Sequence, residues 1–379
     1  MKKIKSLIEH ELFAPILLIF MTVLALFLKN TSFSTLYNFV SNYKAGVVFG
    51  DLQLIKPLVL WVNDWLMAIF FFWVGLEVKK EILIGELKSL KTSSFPLIAA
   101  LGGVIFPAII YMIFNYSNPI AVRGFAIPTA TDIAFALGVL LLLSNRIPKS
   151  LTIFLLSLAI FDDIIAIALI AIFYTNDLSI FSLSLAGFGI LFLFLLNYFH
   201  ICIKSFYIFI GAFIWLCVLK SGVHATLAGI LCAFFIPLKT KDNKDFLVQI
   251  AHDLTPFVNY LILPIFALFN AGVLVNNLSL NDFNLVFFGV FLGLFLGKQF
   301  GVFAFCLIAN KFLKAPLPSS KKQLFGVCIL TGIGFTMSFF INTLVFENDP
   351  MLFNSAKLAI LSASLLSAVV GYIWLRLVK

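Results

Sequence analysis

The sequence predicts an all-α multi-pass membrane protein with twelve transmembrane helices, inverted three-helix repeats, and two discontinuous helices, the fourth and the eleventh. Three observations lead to this class. Of the 379 residues, 62% are hydrophobic and 11% are charged, against about 45–50% and about 25% in a soluble domain. Apolar runs recur along the whole chain, and about 20 such residues in a helix cross the hydrocarbon core of a bilayer. The few charges found inside those runs fall in a handful of them. A mean hydropathy of +1.11 agrees. This composition excludes a soluble enzyme, a disordered scaffold and a secreted disulfide protein.

The first run, 12–28, follows the basic head MKKIK. No small-residue cleavage pattern follows it, so it reads as an uncleaved helix. The other runs are 59–76, 96–115, 121–143, 150–174, 178–199, 203–219, 222–238, 254–275, 285–310, 324–346 and 355–375. The seventh and eighth are short, with only LKSG between them. The whole chain, 1–379, reads as one membrane domain with repeats near 96–174 and 285–375. In the 30–58 loop, KAGVVFGDLQL has β character, and a small hairpin or an irregular loop with one extended piece would both fit it.

Nineteen of the 26 Lys and Arg residues fall on the side that holds the N-terminus and six on the other. By the positive-inside rule both termini are expected in the cytoplasm. The net charge of +9 therefore reads as topology and calls for no nucleic acid. Cys202, Cys217, Cys232, Cys306 and Cys328 form no CxxC pair, lie in or near apolar runs and read as free buried thiols.

An ionisable side chain at the centre of a membrane helix costs at least about 2.5–3.5 kcal/mol. Asp162 and Asp163 stand side by side in the fifth run, Thr131 and Asp132 near the centre of the fourth, and Lys298 about midway along the tenth. Adjacent helical residues project about 100° apart. One aspartate can thus face a water-filled cavity while the other turns to a neighbouring helix, where Lys298 is its natural partner. Two carboxylates about 5 Å apart at an effective dielectric of 20 repel by roughly 3 kcal/mol. At least one of the pair is expected to take up and release protons near neutral pH, as a coupled titration. A role limited to pinning helices would leave the second aspartate and Asp132 without partners.

The backbone supplies a second signal. Pro128, Thr129 and Thr131 interrupt the fourth run beside Asp132, and Gly332, Gly334 and Thr336 sit at the centre of the eleventh. Irregular backbone at this depth is tolerated where protein or a water-filled cavity satisfies it. Two interruptions at corresponding places in two three-helix units fit an inverted-repeat transporter with a midplane site. Asp64, near the outer end of the second run, reads as a cap or entrance charge, and His224 as a hydrogen-bonded structural residue.

IPTATDIAFALGVL, then LAIFDDIIAIALIAIFYTNDLS about thirty residues later, resembles the NhaA-type sodium/proton antiporters, for which inverted repeats are established. The similarity runs collinearly through LKSGVHATLAG, FFIPLK, YLILPIFALFNAGV, LGKQFG, GIGFTMSFFI and AKLAILSASLLSAVVGYIWLR. It implies a twelve-helix antiporter of the bacterial inner membrane that exports Na⁺ or Li⁺ in exchange for external protons and has no cofactor. Motif matching puts the ion-binding carboxylate on Asp163 with Asp162 beside it, marks Thr131 and Asp132 as the broken fourth helix, and makes Lys298 the intramembrane lysine. That lysine either pairs with the first aspartate or carries a transported proton. Na⁺, a hard cation that prefers oxygen ligands, would find them in Asp163, Asp162 and Thr131. The resemblance also implies a homodimer formed through the 30–58 loop. It implies pH control through Glu77, Lys80, Glu81 and His252, although Ala251 and Thr255 stand where acidic and imidazole groups are expected.

Other classes fit less well. A symporter of an organic solute needs more polar residues at depth, a channel needs a selectivity ring, and no HExxH, GxSxG or His/Cys cluster offers enzyme chemistry.

Overall fold

The computed structural model describes residues 12–378 apart from 50–51, 145, 176–177, 277–281 and 315. Lys2, Lys3, Lys5 and Lys379, which enter the topology count, lie outside the described residues. The elements, in order, begin with α1 (Phe13–Asn30), α2 (Ser34–Asn42), β1 (Lys44–Phe49), β2 (Leu52–Pro57) and α3 (Leu58–Leu83). Then come α4 (Leu90–Asn115), a tight 3-10 helix (Ala121–Thr129), α5 (Ile133–Leu141), α6 (Lys149–Phe173), α7 (Ile180–Tyr198), α8 (Lys204–Leu219) and α9 (Leu227–Phe234). Last are α10 (Phe246–Asn270), α11 (Leu285–Leu313), α12 (Lys321–Leu330), α13 (Phe335–Phe346) and α14 (Pro350–Leu377).

Among the described residues, nine helical stretches are long and apolar enough to cross a bilayer, and α12 with α13, bent by 43°, makes a tenth. The protein is therefore a multi-pass helical membrane protein. The seventh expected span appears as the 16-residue α8, close to its expected bounds, and the eighth contains only the eight-residue α9, about 12 Å of helix. The reason is local: Gly222 adopts φ 84°, and the turn it sets delays the start of α9 to Leu227. The ninth span begins earlier than read, at Phe246, and α10 then runs on through a π-helical turn at Val258–Ile262.

The chain divides into two compact units, each assembled from distant stretches. One comprises 32–88 and 167–269. Its strands form an antiparallel hairpin, with Lys44 opposite Pro57 and Val47 opposite Leu54. Two contacts tie the hairpin to the start of α3, and a third ties α8 to the same place. Lys56 pairs with Asp64 at 2.6 Å, Trp61 Nε1 donates to the Ala45 carbonyl at 2.8 Å, and Trp215 Nε1 donates to the Asp64 carbonyl at 3.2 Å. Asp64 thus anchors the hairpin. Its interior is apolar, built from residues such as Leu76, Leu193, Ile214, Ala233 and Leu247. Large exposed side chains such as Phe181, Phe188 and Phe209 form the apolar outer face that lipid requires.

The other unit comprises 1–31, 89–166 and 270–379, and holds every charge singled out at depth. Its spine is the crossing of α4 with α11. On α11, Gly289, Gly293, Gly297 and Gly301 recur every fourth residue and form one small-residue stripe. Such stripes let membrane helices approach backbone to backbone. A Cβ at Gly301 would lie 2.2 Å from the Gly102 carbonyl, and one at Gly102 would lie 2.3 Å from the Gly301 carbonyl. Between these glycines, α11 opens into a π-helical turn, Gly293–Lys298. Such turns insert a residue into the ladder and re-aim the side chains that follow, here Lys298.

Gly301→Val should cost about 3 kcal/mol by forcing the helices apart. In detergent its melting temperature should fall by about 5 °C or more. Phe312→Ala, on the exposed face of the same helix, should leave that temperature unchanged.

Candidate functional site

Two interrupted helices meet in the unit just described. The first stops at Thr129, runs extended through Ala130, and restarts as α5 at Ile133. The second stops at Leu330 and restarts as α13 at Phe335. Each interruption leaves free carbonyls at one half-helix end and free N–H groups at the next, and all of these lie away from water. The chain satisfies them reciprocally. Asp132 N donates to the Ile333 carbonyl at 2.7 Å. Asp132 Oδ1 caps α5 by accepting from Phe135 N at 3.0 Å. Its Oδ2 accepts from Thr336 N at 3.1 Å and from the Thr336 hydroxyl, so one carboxylate closes the N-termini of α5 and α13 together. Phe335 N finds Ser364 Oγ at 3.2 Å.

The carbonyl ends are closed by cationic and hydroxyl donors. Lys298 donates to the Thr129 carbonyl, and Ser338 Oγ donates to that of Ile127 at 2.8 Å. Thr331 Oγ1 donates to the Cys328 carbonyl at 2.7 Å. Opposite partial charges at helix ends favour this assignment, anions at N-termini and cations at C-termini.

The remaining charges converge on the same place. Lys298 and Asp162 form an ion pair, Nζ to Oδ2 at 2.8 Å, with both side chains fully buried. The Thr131 hydroxyl has a single proton within reach of both Asp162 Oδ2 at 2.7 Å and the Thr331 carbonyl at 3.0 Å. Asp162 Oδ1 has no hydrogen-bond partner among the described residues. The side chain of Asp163, 4% exposed, makes no hydrogen bond among them, and its charged neighbours are Asp162, Asp132 and Lys298. The cluster thus holds three carboxylates against one ammonium. One carboxylate is committed to helix caps, one is paired through a single oxygen, and one is free.

Gly332 and Gly334 supply space. A Cβ on Gly332 would sit 2.6 Å from Ser367 Oγ and 2.7 Å from the Leu294 carbonyl, and one on Gly334 2.1 Å from Ser338 Oγ. The residues read for pH control lie in the other unit. Glu77 and Lys80 form an ion pair one turn apart on α3. Glu81 is one residue further on, and exposed His252 makes no hydrogen bond or ion pair among the described residues. Thr255, which stands where an imidazole was expected, accepts from Trp73 Nε1 at 3.0 Å and donates to the Ala251 carbonyl at 2.9 Å. His224 is hydrogen-bonded to the backbone of Tyr174.

The sequence reading did not assign the closing roles of Thr331, Ser338 and Ser364, nor the double bond of Thr336. A usable signal existed for Thr336, since a hydroxyl residue in the first turn after a glycine break is well placed to share an N-terminal carboxylate.

Charged groups buried where two interrupted membrane helices cross define a secondary transporter. A family model described as Na⁺/H⁺ antiporter 1 matches residues 5–375. The Na(+)/H(+) antiporter NhaA 2 of Campylobacter jejuni subsp. jejuni serotype O:23/36 (strain 81-176) is 52% identical over 384 residues, covering 100% of both chains. The protein of that name in Campylobacter fetus subsp. fetus is 52% identical over 98% of this chain and 95% of its own. The Na(+)/H(+) antiporter NhaA of Sulfurovum sp. (strain NBC37-1) is 50% identical over 100% of this chain and 98% of its own. The chain therefore belongs to the Na⁺/H⁺ antiporter 1 family, whose named relatives are transporters and not enzymes, and the resemblance read from its motifs is borne out.

Thr336→Val removes the hydroxyl and keeps the amide donor to Asp132. It should cost about 1–2 kcal/mol. Asp132→Ala uncaps two helices at once and should cost more, about 2 kcal/mol or above. Thermal unfolding of both variants in detergent gives the ranking.

Proposed function

We propose that this chain exports Na⁺ or Li⁺ from the cytoplasm in exchange for external protons, by competition of cation and protons for Asp162 and Asp163. The observation that carries the proposal is the buried Lys298–Asp162 pair with unbonded Asp163 beside it. In the proton-loaded form, Asp163 is protonated and the Lys298–Asp162 pair is neutral overall. A cation drawn to both carboxylates expels the Asp163 proton and draws Asp162 away from Lys298, which then gives up its own proton. Thr131 and water complete an oxygen shell of the kind hard cations take. The cation-loaded cluster then carries one negative charge more than the proton-loaded one. If only loaded forms cross the membrane, exchange is obligatory and more than one proton enters per cation. Each net charge moved is driven by about 2.3 kcal/mol per 100 mV.

The same reading takes twelve crossings, counting α8 and the segment around α9 as short spans. It puts both termini in the cytoplasm of a cell with an inner membrane and gives the protein a part in sodium and pH homeostasis. The hairpin joins two copies through its strands, which present exposed Val47, Val48 and Ile55.

In liposomes carrying an internal pH dye, Na⁺ and Li⁺ should drive proton movement and K⁺ should not. Asp163→Asn should abolish it, and an imposed potential should change its rate. Flux indifferent to potential would remove the unequal charge count. Replacing residues 46–55 by a short Gly/Ser turn should convert a dimer into a monomer on light scattering while transport per chain persists. A monomeric wild type would remove the hairpin from the account.

A further inference from the structure

The two oxygens of Asp162 meet different surroundings. Oδ2 accepts from Thr131 at 2.7 Å and from Lys298 at 2.8 Å. Oδ1 is buried and without a donor among the described residues. A buried carboxylate oxygen left in this way is costly and calls for an explanation. It faces α4. A Cβ built on Gly103 would stand 3.9 Å from Asp162 Oδ1, 3.7 Å from Lys298 Cε and 2.8 Å from Val302 Cγ2. Gly103 is thus a point at which α4 comes close to both members of the ion pair. Its orientation is fixed, because the preceding residue, Gly102, crosses Gly301 backbone to backbone.

Oδ2 already holds two donors. A cation that approaches Asp162 must therefore come to Oδ1, or wait until the Lys298 stem has swung away from Oδ2. The first movement needs the face of Oδ1 that Gly103 borders, and the second needs freedom at Lys298 Cε, which Gly103 also borders. We infer that Gly103 is a specificity-determining position of the cation site: the side chain it lacks leaves the Asp162 Oδ1 face open to the cation and gives the Lys298 stem room to move. This rests on Asp162 and Asp163 being the cation carboxylates.

A methyl group at 103 would do two separable things. It would overlap Val302 Cγ2, a packing fault, and it would make ordinary contact with Oδ1 and Lys298 Cε, narrowing the site without a clash. Gly103→Ala combined with Val302→Ala removes the overlap and keeps the narrowing. The test measures Na⁺ and Li⁺ transport in liposomes for the wild type, Val302→Ala and the double variant, with melting temperatures as a check on folding. The double variant should melt with Val302→Ala. Its KM for Na⁺ should rise about tenfold and its KM for the smaller Li⁺ by less, with the maximal rate held within about twofold. Wild-type KM values for both ions in the double variant, or a lost maximal rate at unchanged KM, would overturn the inference and leave Gly103 a packing residue. Transport persisting in Asp163→Asn would instead overturn the reading of the carboxylates on which it rests.

Discussion

Backbone groups freed inside a membrane have no water to turn to, and the structure of the transport unit follows from how they are satisfied. Each unsatisfied group at that depth costs several kcal/mol. A break in one helix alone would be intolerable. Two breaks laid across each other offer complementary ends, and Asp132 joins them by capping α5 and α13 with one carboxylate. Lys298 reaches the opposite kind of end at Thr129. Once these two charges are needed for the crossing, the rest of the cluster is constrained around them. The α4–α11 contact must be close enough to bring Lys298 inward, which is why glycine recurs along α11.

The sequence made the charged members of this cluster legible because charge at depth is expensive. Asp132, Asp162, Asp163 and Lys298 stand out against apolar runs whatever the fold, and Pro128, Gly332 and Gly334 mark the breaks by backbone chemistry. The pairing was less legible. Asp162 and Asp163 are chemically identical in the sequence, and only the rotation of α6 against α11 gives Lys298 to the first. The acceptors Thr129, Thr331 and Ile333 were not legible, since every residue carries a carbonyl and only the crossing selects these. The proposed role of Gly103 escaped for a related reason: a glycine pair in a membrane helix is common, and what it faces is a tertiary fact.

Fold details were least legible where the signal was weakest. Residues 222–238 are largely apolar, but hydropathy does not register the turn that Gly222 imposes, so the eight-residue α9 within that run was not foreseen. The 30–58 loop left hairpin and irregular loop equally open, because a two-stranded ribbon has too little internal stabilisation for its pattern to be decisive. Its order is secured from outside the strands, by Lys56 on Asp64 and Trp61 on Ala45.

The same economy of partners is why we propose exchange, and not bracing, for the ion pair. A buried salt bridge gains strong attraction but loses the hydration of both ions, and the two nearly cancel. Lys298 and Asp162 are therefore held without being locked. Asp163, adjacent and unbonded, adds a second carboxylate whose charge the single ammonium cannot balance. In the proposed exchange that imbalance is answered either by a proton on Asp163 or by a cation shared with Asp162, and each excludes the other because both need the same oxygens. Bracing would be served by equal numbers of opposite charges with every oxygen filled. Three carboxylates against one ammonium, with Asp162 Oδ1 buried beside Gly103 and without a donor among the described residues, suit the proposed exchange of something that comes and goes.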